Sequence, residues 1–564
     1  MHEPAPSVDY QKLVFDYKRH ADQSATPPAR HPVVVVGAGP VGLSLAIDLA
    51  QQGVRVVLLD NDNTLSTGSR AICFAKRTLE IFDRLGCGER MVNKGVSWKV
   101  GKVFFKDAQL YSFDLQPDTG HERPAFINLQ QYYVEGYLAE RAAELPLIDL
   151  RWNNRVVGVE QHTGFATLSI DTPDGPYTLQ AEHVVACDGS RSAVRQLIGQ
   201  ESKGRVFRDR FLIADVKMKI DLPAERWFWF DPPFHPNQSV LLHMQPDAVW
   251  RIDFQLGWDA NPDEEKKPEN IIPRVKALLA NSALKDAQFE LEWASVYTFA
   301  CQRMDRFRHG RVLFAGDAAH GVSPFGARGA NSGVQDAENL AWKLAAVVRG
   351  QGSDALLDSY ADEREYAADE NIRHSTRATD FITPKSDISR VFRDAVLELA
   401  RHHAFARTLV NSGRLSVPAT LHGSVLNTND ADAFAGAMLP GAAAADAPVL
   451  RANGSAGWLL RELGDGFMAL VGDGPDFDAV AAEIRAGTEG VLPLCIVRVS
   501  AAGSVPLASN LNTLVDRDGL VAKRYDLQPG TVYLLRPDQH VCARWRKAYA
   551  LSVRAALRRA LALA

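Results

Sequence analysis

Residues 33–60 constrain the fold of this chain more than any other stretch. The β-branched run at 33–36 is typical of a strand buried on both faces, and the sequence GAGPVG follows it at 37–42. A helical segment continues to residue 50, Gly53 takes the usual C-terminal glycine position, and an apolar strand at 54–59 leads to Asp60. This order of elements predicts a dinucleotide-binding βαβ unit. In such a unit Asp60 would form a hydrogen bond with the ribose in the adenosine half of the dinucleotide.

A second stretch, residues 311–344, has a related design. An apolar strand at 312–315 ends at Gly316 and Asp317, and a loop with Pro324 and Gly329 precedes a helix with one apolar face. The first N–H groups of that helix lack partners within the helix, so they favour an anion or an electron-rich ring edge. The N1/C2 edge of a reduced flavin is such a group, and Asp317 could accept hydrogen bonds from ribityl hydroxyls. A purely structural strand-loop-helix is the alternative.

The same arrangement occurs a third time around Asp188. A strand at 184–187 leads into the sequence DGSRSAVR at 188–195, which again places a carboxylate and a glycine before a helix. Three such strand ends can converge on a single elongated ligand.

Composition excludes several classes of protein. The chain has 564 residues, 46% of them hydrophobic, and a net charge of -5, so it can form several domains and has no basic footprint for nucleic acid. The 6 cysteines are scattered without a CxxC pair, which predicts reduced thiols and neither a disulfide framework nor a metal site. There is no run of apolar residues long enough for a membrane span and no signal-peptide core at the start. We therefore expect a cytoplasmic protein that binds neither membranes nor nucleic acid.

The three motifs resemble a known family. GAGPVG, DGSRSAVR and GDAAH with PFGARGANSGVQDAENLAWKL look like the fingerprints of the single-component FAD-dependent aromatic hydroxylases, which have the p-hydroxybenzoate hydroxylase fold. The branch most similar is that of the 3-(3-hydroxyphenyl)propionate and phenol hydroxylases. The resemblance covers residues 31–390 by motif and the C-terminus more loosely.

The resemblance implies an α/β and α+β multidomain architecture. Residues 1–30 form an arm on the body or a disordered leader, and a Rossmann-like FAD-binding domain takes residues 31–205 and 301–390. An antiparallel sheet at 206–300 is expected to bind substrate, and residues 391–440 form a helical region and linker. The last domain, 441–564, is expected to be thioredoxin-like but without CxxC, which favours a structural role over disulfide exchange.

The family pattern implies a set of cofactor-binding residues. The glycines of the first motif would let the backbone approach the FAD pyrophosphate, and Asp317 would hold the ribityl chain. The turn from Pro324 to Gly329 would lie beside the isoalloxazine, with the backbone at Ala330 and Asn331 facing its N1/C2 edge. The full set is Gly37, Gly39, Pro40, Val41, Gly42, Asp60, Arg70, Gln131, Asp188, Gly316, Asp317, Pro324, Gly329, Ala330 and Asn331.

The substrate residues are less well determined. Residues 206–300 are rich in aromatic side chains and alternate as strands do, with polar and apolar residues of 251–256 on opposite faces. The pattern does not decide which face looks towards the flavin. His243, Arg251 and Tyr297 are candidates for substrate contact or catalysis, and His243 or Tyr297 could act as the base for a phenol.

The resemblance implies an FAD-dependent monooxygenase that hydroxylates a small aromatic, in particular phenolic, compound with O2 and NADH or NADPH. Reduced flavin would form a C4a-hydroperoxide, and the nicotinamide would bind transiently because no second nucleotide-binding domain is visible. The alternatives are another flavin oxidoreductase on this fold (a Baeyer-Villiger oxygenase, a halogenase or a reductase) and a non-catalytic flavin-binding scaffold. A homodimer is one assembly consistent with the sequence.

Overall fold

The computed structural model describes residues 9–66, 68, 71–280, 287–410, 415, 417–504 and 512–563. The α-helices are α1 (Pro40–Gln51), α2 (Lys76–Arg84), α3 (Gly88–Lys94), α4 (Gln131–Ala143), α5 (Ala193–Leu197), α6 (Pro262–Glu265), α7 (Pro268–Ala280), α8 (Gly329–Val348), α9 (Ala355–Ile382), α10 (Asp387–Ala400), α11 (Ala404–Val410), α12 (Leu459–Glu462), α13 (Phe477–Thr488), α14 (Leu520–Tyr525) and α15 (Ala550–Ala560). Short 3-10 turns occur at Tyr10–Lys12, Ala21–Ser24, Gly316–Ala318 and Pro324–Gly326.

The strands are β1 (Arg30–Val36), β2 (Val56–Leu59), β3 (Cys73–Ala75), β4 (Val96–Trp98), β5 (Val100–Phe105), β6 (Ala108–Asp114), β7 (Phe126–Asn128), β8 (Ile148–Arg151), β9 (Arg155–His162), β10 (Phe165–Asp171), β11 (Tyr177–Ala186), β12 (Ser202–Lys217), β13 (Arg226–Phe230), β14 (Ser239–Met244), β15 (Val249–Leu256), β16 (Glu290–Met304), β17 (Arg308–His309), β18 (Val312–Phe314), β19 (His320–Gly321), β20 (Pro448–Arg451), β21 (Ala456–Trp458), β22 (Met468–Gly472), β23 (Cys495–Ser500), β24 (Asn512–Asp516), β25 (Val532–Leu535) and β26 (Val541–Trp545).

The first sheet contains the nucleotide-binding motif. Its order is β17-β18-β11-β1-β2-β8, and β18, β11, β1, β2 and β8 run parallel. The residues of β1 from Val33 onward and all of β2 are buried, as the β-branched runs predict for strands covered on both faces. Helices α1, α4 and α8 contribute to the same apolar core, and the face of α8 defined by Val334, Ala337, Ala341 and Leu344 is buried.

The second sheet is largely antiparallel and has the order β19-β16-β12-β15-β14-β13-β5-β6. One of its faces packs against α7 through Ile271, Val275 and Leu278. Strands β5 and β6 belong to this sheet, although the sequence places them within the range predicted for the FAD-binding domain. They join it because β5 pairs in parallel with β13, a contact between segments more than a hundred residues apart that no local pattern encodes.

Two further sheets complete the fold. A small one, β3-β7-β4, lies near the second sheet, and a mixed one, β21-β20-β24-β23-β22-β25-β26, forms the C-terminal part of the chain. The architecture is therefore a mixed α/β and α+β multidomain fold, as predicted. The domain boundaries and the thioredoxin-like character of the last domain stay predictions.

Residues 9–30 lie on the body of the protein. Phe15 stacks on Trp152 with ring centroids 4.3 Å apart, and Tyr10 donates a hydrogen bond of 2.5 Å to Glu140. Val14 forms an isolated antiparallel bridge with Thr64. Among the described helices, none combines the length and the apolar character needed to cross a bilayer.

Candidate functional site

Four neighbouring parallel strands end at one edge of the first sheet, and each leads into a predicted site motif. In the order β18-β11-β1-β2, their ends precede Gly316, Asp188, Gly37 and Asp60. Strands in a sheet are spaced by about 4.8 Å, so the row spans about 14 Å. Ligands of open α/β sheets bind outside the carboxyl ends of the strands, so these motifs can act on one elongated ligand.

Glycine is required for different reasons at the three glycine positions of the GAGPVG motif. Gly37 has a φ of +104°, and a Cβ there would lie 2.5 Å from the carbonyl oxygen of Cys187. A Cβ at Gly42 would lie 1.9 Å from the carbonyl oxygen of Gly37, so the helix start packs directly on the turn. A Cβ at Gly39 would meet no atom of the described chain within 4 Å. Gly37 and Gly42 are therefore needed by the fold, whereas the space above Gly39 is open to a ligand.

The residues after Gly39 connect two of the motifs. Pro40 begins α1, and the side chain of Val41 lies where a Cβ at Gly316 or Gly333 would be, at 2.9 and 2.6 Å. Glycine at these positions lets α8 and the turn after β18 approach α1 closely. The GAGPVG motif and the turn after β18 thus form one compact surface.

Asp60 closes the turn at the end of β2. Its Oδ2 accepts a hydrogen bond of 2.5 Å from the N–H of Ala38, and its Oδ1 accepts one of 2.8 Å from Asp62. Burial raises the pKa of this carboxyl above its ordinary value, although both backbone bonds act in the opposite direction. Each carboxylate oxygen has a second lone pair, so Asp60 can still accept from a ribose hydroxyl.

Gln131 stands at the start of α4 and is bonded to the segment that follows β2. Its Oε1 accepts from the N–H of Ala71, and its Nε2 donates to Ser66 and Glu135. Gln131 thereby links the backbone N–H of Ala71 to the side chains of Ser66 and Glu135. Arg70 itself lies outside the described residues.

Asp188 has a buried oxygen without a partner. Its Oδ2 accepts from the N–H of Val194 at 3.0 Å, but Oδ1 has no hydrogen-bond donor among the described residues. Burial raises the pKa of this carboxyl. An orphaned acceptor is unfavourable unless a ligand group donates to it.

A buried carboxylate organises the turn that contains Asp317. Asp336 on α8 accepts from the N–H of Gly316 at 2.9 Å, from His320 at 2.7 Å and from Arg364 at 2.6 Å. These partners hold the pKa of Asp336 below its ordinary value despite complete burial. Asp317 is exposed between buried neighbours, so its carboxylate lies on the open side of the turn.

The start of α8 is held by the side chain of Asn331. Its Oδ1 accepts from the N–H of Ala75 at 2.8 Å, and its Nδ2 donates to the carbonyls of Cys73 and Ala327. Pro324 is exposed, Gly329 and Ala330 are half-buried, and no described side chain caps this helix end. The N–H groups of the first turn are therefore available to an electron-rich ligand edge.

The polar face of the second sheet lies against the Pro324–Gly326 turn. Arg226, His243, Arg251 and Asp215 are paired in register across four strands, so their side chains share a face. Tyr297 is on the same face, opposite Phe211, whose ring lies 4.6 Å from that of Phe325 in the Pro324–Gly326 turn. The other face is covered by α7. The polar face, and not the face covered by α7, therefore borders the Pro324–Gly326 turn.

The three substrate-site candidates have different environments. His243 is buried, with Nε2 3.4 Å from Asp253 and Nδ1 3.9 Å from the thiol of Cys73. Arg251 forms a two-pronged ion pair with Asp215 at 2.8 and 2.7 Å. Tyr297 is half-buried and stacks near Phe299.

Desolvation of the buried ring lowers the pKa of His243 below its ordinary 6.5, while Asp253 acts in the opposite direction. His243 is therefore neutral near pH 7 and can accept a proton.

Two buried charged residues of this region, Asp336 and Arg226, were not found from the sequence. Asp336 belongs to the helical segment QDAEN, where an acidic residue is normally read as solvent-exposed, and Arg226 was not singled out at all. A charged residue in an otherwise apolar run, as in ERWFWF, is the signal that could have identified Arg226.

Comparison with known proteins places this geometry in a family context. The model of the family described as "FAD binding domain" matches residues 30–375. A 3-(3-hydroxy-phenyl)propionate/3-hydroxycinnamic acid hydroxylase of Mycolicibacterium smegmatis is 30% identical over 66% of this chain and 64% of its own. A probable NADH-specific resorcinol 4-hydroxylase of Rhodococcus jostii is 34% identical over 59% of this chain and 62% of its own. The chain thus spans a little under two thirds of the length of these curated relatives.

Solved structures extend the similarity to nearly the whole chain. The crystal structure of aklavinone-11 hydroxylase with FAD and aklavinone superposes with a TM-score of 0.73 and 26% identity, covering 94% of this chain and 99% of that one.

Proposed function

We propose that this protein, which belongs to the FAD binding domain family, is an FAD-dependent monooxygenase that hydroxylates a small aromatic, in particular phenolic, compound. The observation that carries the proposal is the convergence of four motif-bearing strand ends on one edge, opposite the polar and aromatic face of the second sheet. The named activities of the curated relatives, hydroxylation of hydroxyphenylpropionate and of resorcinol, support the same reaction class.

The residues present fit FAD. The open space above Gly39 suits the pyrophosphate, Asp60 suits the adenosine ribose, and the exposed Asp317 suits the ribityl chain. The uncapped start of α8 suits the electron-rich edge of the flavin ring. When bound, FAD accepts hydride from NADH or NADPH and activates O2, and the protein positions the aromatic ring and excludes water.

The pair His243 and Asp253 provides the proton acceptor for a phenol. With its proton on Nε2, the imidazole donates to Asp253 and presents Nδ1 as an acceptor on the side of Cys73. Removing the phenolic proton increases the electron density of the ring at the carbon to be oxygenated. The more exposed member of the pair is Asp253, whose side chain is 16% exposed against 3% for His243.

Replacing His243 by glutamine should lower kcat by about 100-fold or more for a phenol that is protonated at the assay pH, because the general base is lost. A phenol already ionised at that pH should lose far less. In wild type, the acidic limb of the kcat/KM profile should lie below pH 6.5, since the folded pKa of His243 is lowered. Equal losses for both phenols would contradict a base role and indicate a structural one.

The monooxygenase proposal is tested by anaerobic reduction of the FAD-loaded protein with NADH and with NADPH, in the presence and absence of phenols. We expect a suitable phenol to accelerate flavin reduction. A rate that no aromatic compound changes would argue for an oxidase or a reductase. A homodimeric assembly and a cytoplasmic location stay predictions.

A further inference from the structure

Residues 10–22, which we call the N-terminal strap, run along the body of the protein beside the end of β2. The side chains of Leu13, Phe15 and Tyr17 are half-buried, whereas residues 14, 16 and 18 are exposed. This alternation is typical of an extended chain that packs one face against the protein. Leu13 and Phe15 pack against the apolar core that also contains β1 and β2.

The strap is hydrogen-bonded to the segment that directly follows Asp60. The N–H of Phe15 donates to the carbonyl of Asn63 at 2.8 Å, and the Nδ2 of Asn63 donates to the carbonyl of Phe15 at 3.1 Å. One residue before Asn63, the N–H of Asp62 donates to the carboxylate of Asp60 at 2.8 Å. The strap therefore contacts the same short segment that orients the carboxylate proposed to bind the adenosine ribose.

The ring of Phe15 supports the backbone of Asp60 from a second side. It stacks on Trp152 with ring centroids 4.3 Å apart and an interplanar angle of 8°. The two neighbours of this tryptophan along the chain bracket Asp60, because the carbonyl of Arg151 accepts from the N–H of Asp60 at 3.0 Å and the N–H of Asn154 donates to its carbonyl at 2.7 Å. Phe15 is thus linked to Asp60 through two separate parts of the structure.

Both ends of the strap are anchored to the body. Tyr10 is buried against α4, where a Cβ at Gly136 would lie 2.3 Å from its ring, and its hydroxyl donates to Glu140 at 2.5 Å. At the other end, the carboxylate of Asp22 accepts from the buried guanidinium of Arg151 at 2.5 Å. These anchors hold Phe15 in place between them.

We propose that the N-terminal strap positions the end of β2 for the adenosine half of FAD, with Tyr10 and Phe15 as positioning residues that act through Asp60. The inference rests on the proposed placement of the adenosine ribose at Asp60. Residues 61 and 62 are exposed, so the chain after Asp60 depends on its neighbours to keep one conformation. The affinity for a ligand falls with the fraction of protein in the binding-competent conformation, so loss of the strap weakens FAD binding.

The test titrates FAD and FMN separately into the FAD-free protein and follows the change in flavin fluorescence. FMN has the flavin ring, the ribityl chain and one phosphate but no adenosine, so its binding does not depend on the end of β2. In Phe15→Ala the dissociation constant of FAD should rise about 10-fold, as expected for the loss of a stacked aromatic pair, while that of FMN stays unchanged.

Three further variants serve as controls. Phe15→Tyr keeps the stacked ring and should retain the FAD affinity of wild type. Val14→Ala changes the adjacent side chain, which is 59% exposed, and should alter neither dissociation constant. Tyr10→Ala removes one anchor and should show the same selective loss of FAD affinity, so that the inference does not depend on a single variant.

The outcomes separate this inference from the proposed function. An unchanged FAD affinity in both Phe15→Ala and Tyr10→Ala, or an equal loss of FAD and FMN affinity, would overturn the role of the strap and leave the hydroxylase proposal intact. A wild-type protein that binds FMN as tightly as FAD would also overturn it, because the end of β2 would then contribute nothing to cofactor binding. If the selective loss is found but the FAD-loaded wild type forms only hydrogen peroxide with NADH and phenols, the role of the strap stands and the hydroxylase proposal fails.

Discussion

The Gly39→Ala variant should fold as the wild-type protein does and yet bind FAD about 10- to 100-fold more weakly. A methyl group at this position meets no atom of the described chain within 4 Å, and the φ of -76° is allowed for alanine. The methyl group would instead occupy the space through which the pyrophosphate approaches the backbone. Overpacking costs of about 1–3 kcal/mol correspond to the expected loss. The measurements are the melting temperature of the FAD-free protein and the dissociation constant from quenching of flavin fluorescence.

Gly42→Ala provides the matched control. Its methyl group would lie 1.9 Å from the carbonyl oxygen of Gly37, so the turn itself must shift. This variant should be less stable even without FAD. Normal FAD affinity in Gly39→Ala would show that the pyrophosphate does not lie over this turn.

The second large effect is expected at Glu363, in the middle of a buried charge cluster. Its carboxylate accepts from Arg536 at 2.7 Å and from Lys343 at 2.7 Å, and all three side chains are at most 1% exposed. Arg536 belongs to the C-terminal part of the chain, whereas Lys343 is on α8. These cations hold the pKa of Glu363 far below its ordinary value. The cluster therefore joins the C-terminal sheet region to the helix whose first turn is proposed to face the flavin.

Glu363→Gln should lower the free energy of unfolding by about 3–5 kcal/mol, because the buried Lys343 loses its ion-pair partner and the buried Arg536 keeps only Asp538. Urea denaturation at neutral pH measures this loss. The stabilising effect of the wild-type carboxylate is present above its unfolded pKa and is lost only as pH falls through the strongly lowered folded value.

Asp362→Asn is the control for the charge cluster, since Asp362 is the preceding residue on α9 and its side chain is 54% exposed in its pair with Arg306. A surface pair of this kind contributes about 0–1 kcal/mol. A loss of unfolding free energy in Glu363→Gln that is no larger than the loss in Asp362→Asn would contradict a stabilising role for the charge cluster.

Local sequence patterns were sufficient for the motif-bearing elements. The strand at 33–36, the helix closed by Gly53 and the apolar face of α8 all occur where alternation, glycine positions and helical spacing place them. These features depend on residues close in sequence, so the physical causes are visible in a single chain. The convergence of the strand ends follows from the parallel connectivity that such motifs impose.

Contacts between distant segments could not be predicted in the same way. The pairing of β5 with β13 depends on which surfaces meet after folding. The same holds for Asp336, which accepts hydrogen bonds from three segments of the chain. The alternation at 251–256 gave the two faces of the strand but not their environments, which are set by α7 on one side and the Pro324–Gly326 turn on the other. Arg226 was missed because a charged residue is expected to be exposed unless a partner is visible.

The most direct test of the account is the fate of oxygen atoms in a single reaction. The FAD-loaded protein is incubated with NADH or NADPH, a phenolic compound that accelerates flavin reduction and 18O2, and the product is analysed by mass spectrometry. We predict one 18O atom in a new ring hydroxyl and one nicotinamide oxidised for each product molecule. Nicotinamide oxidation that yields only hydrogen peroxide across a panel of hydroxyphenyl acids and neutral phenols, or a product whose new oxygen comes from water, would contradict the monooxygenase assignment.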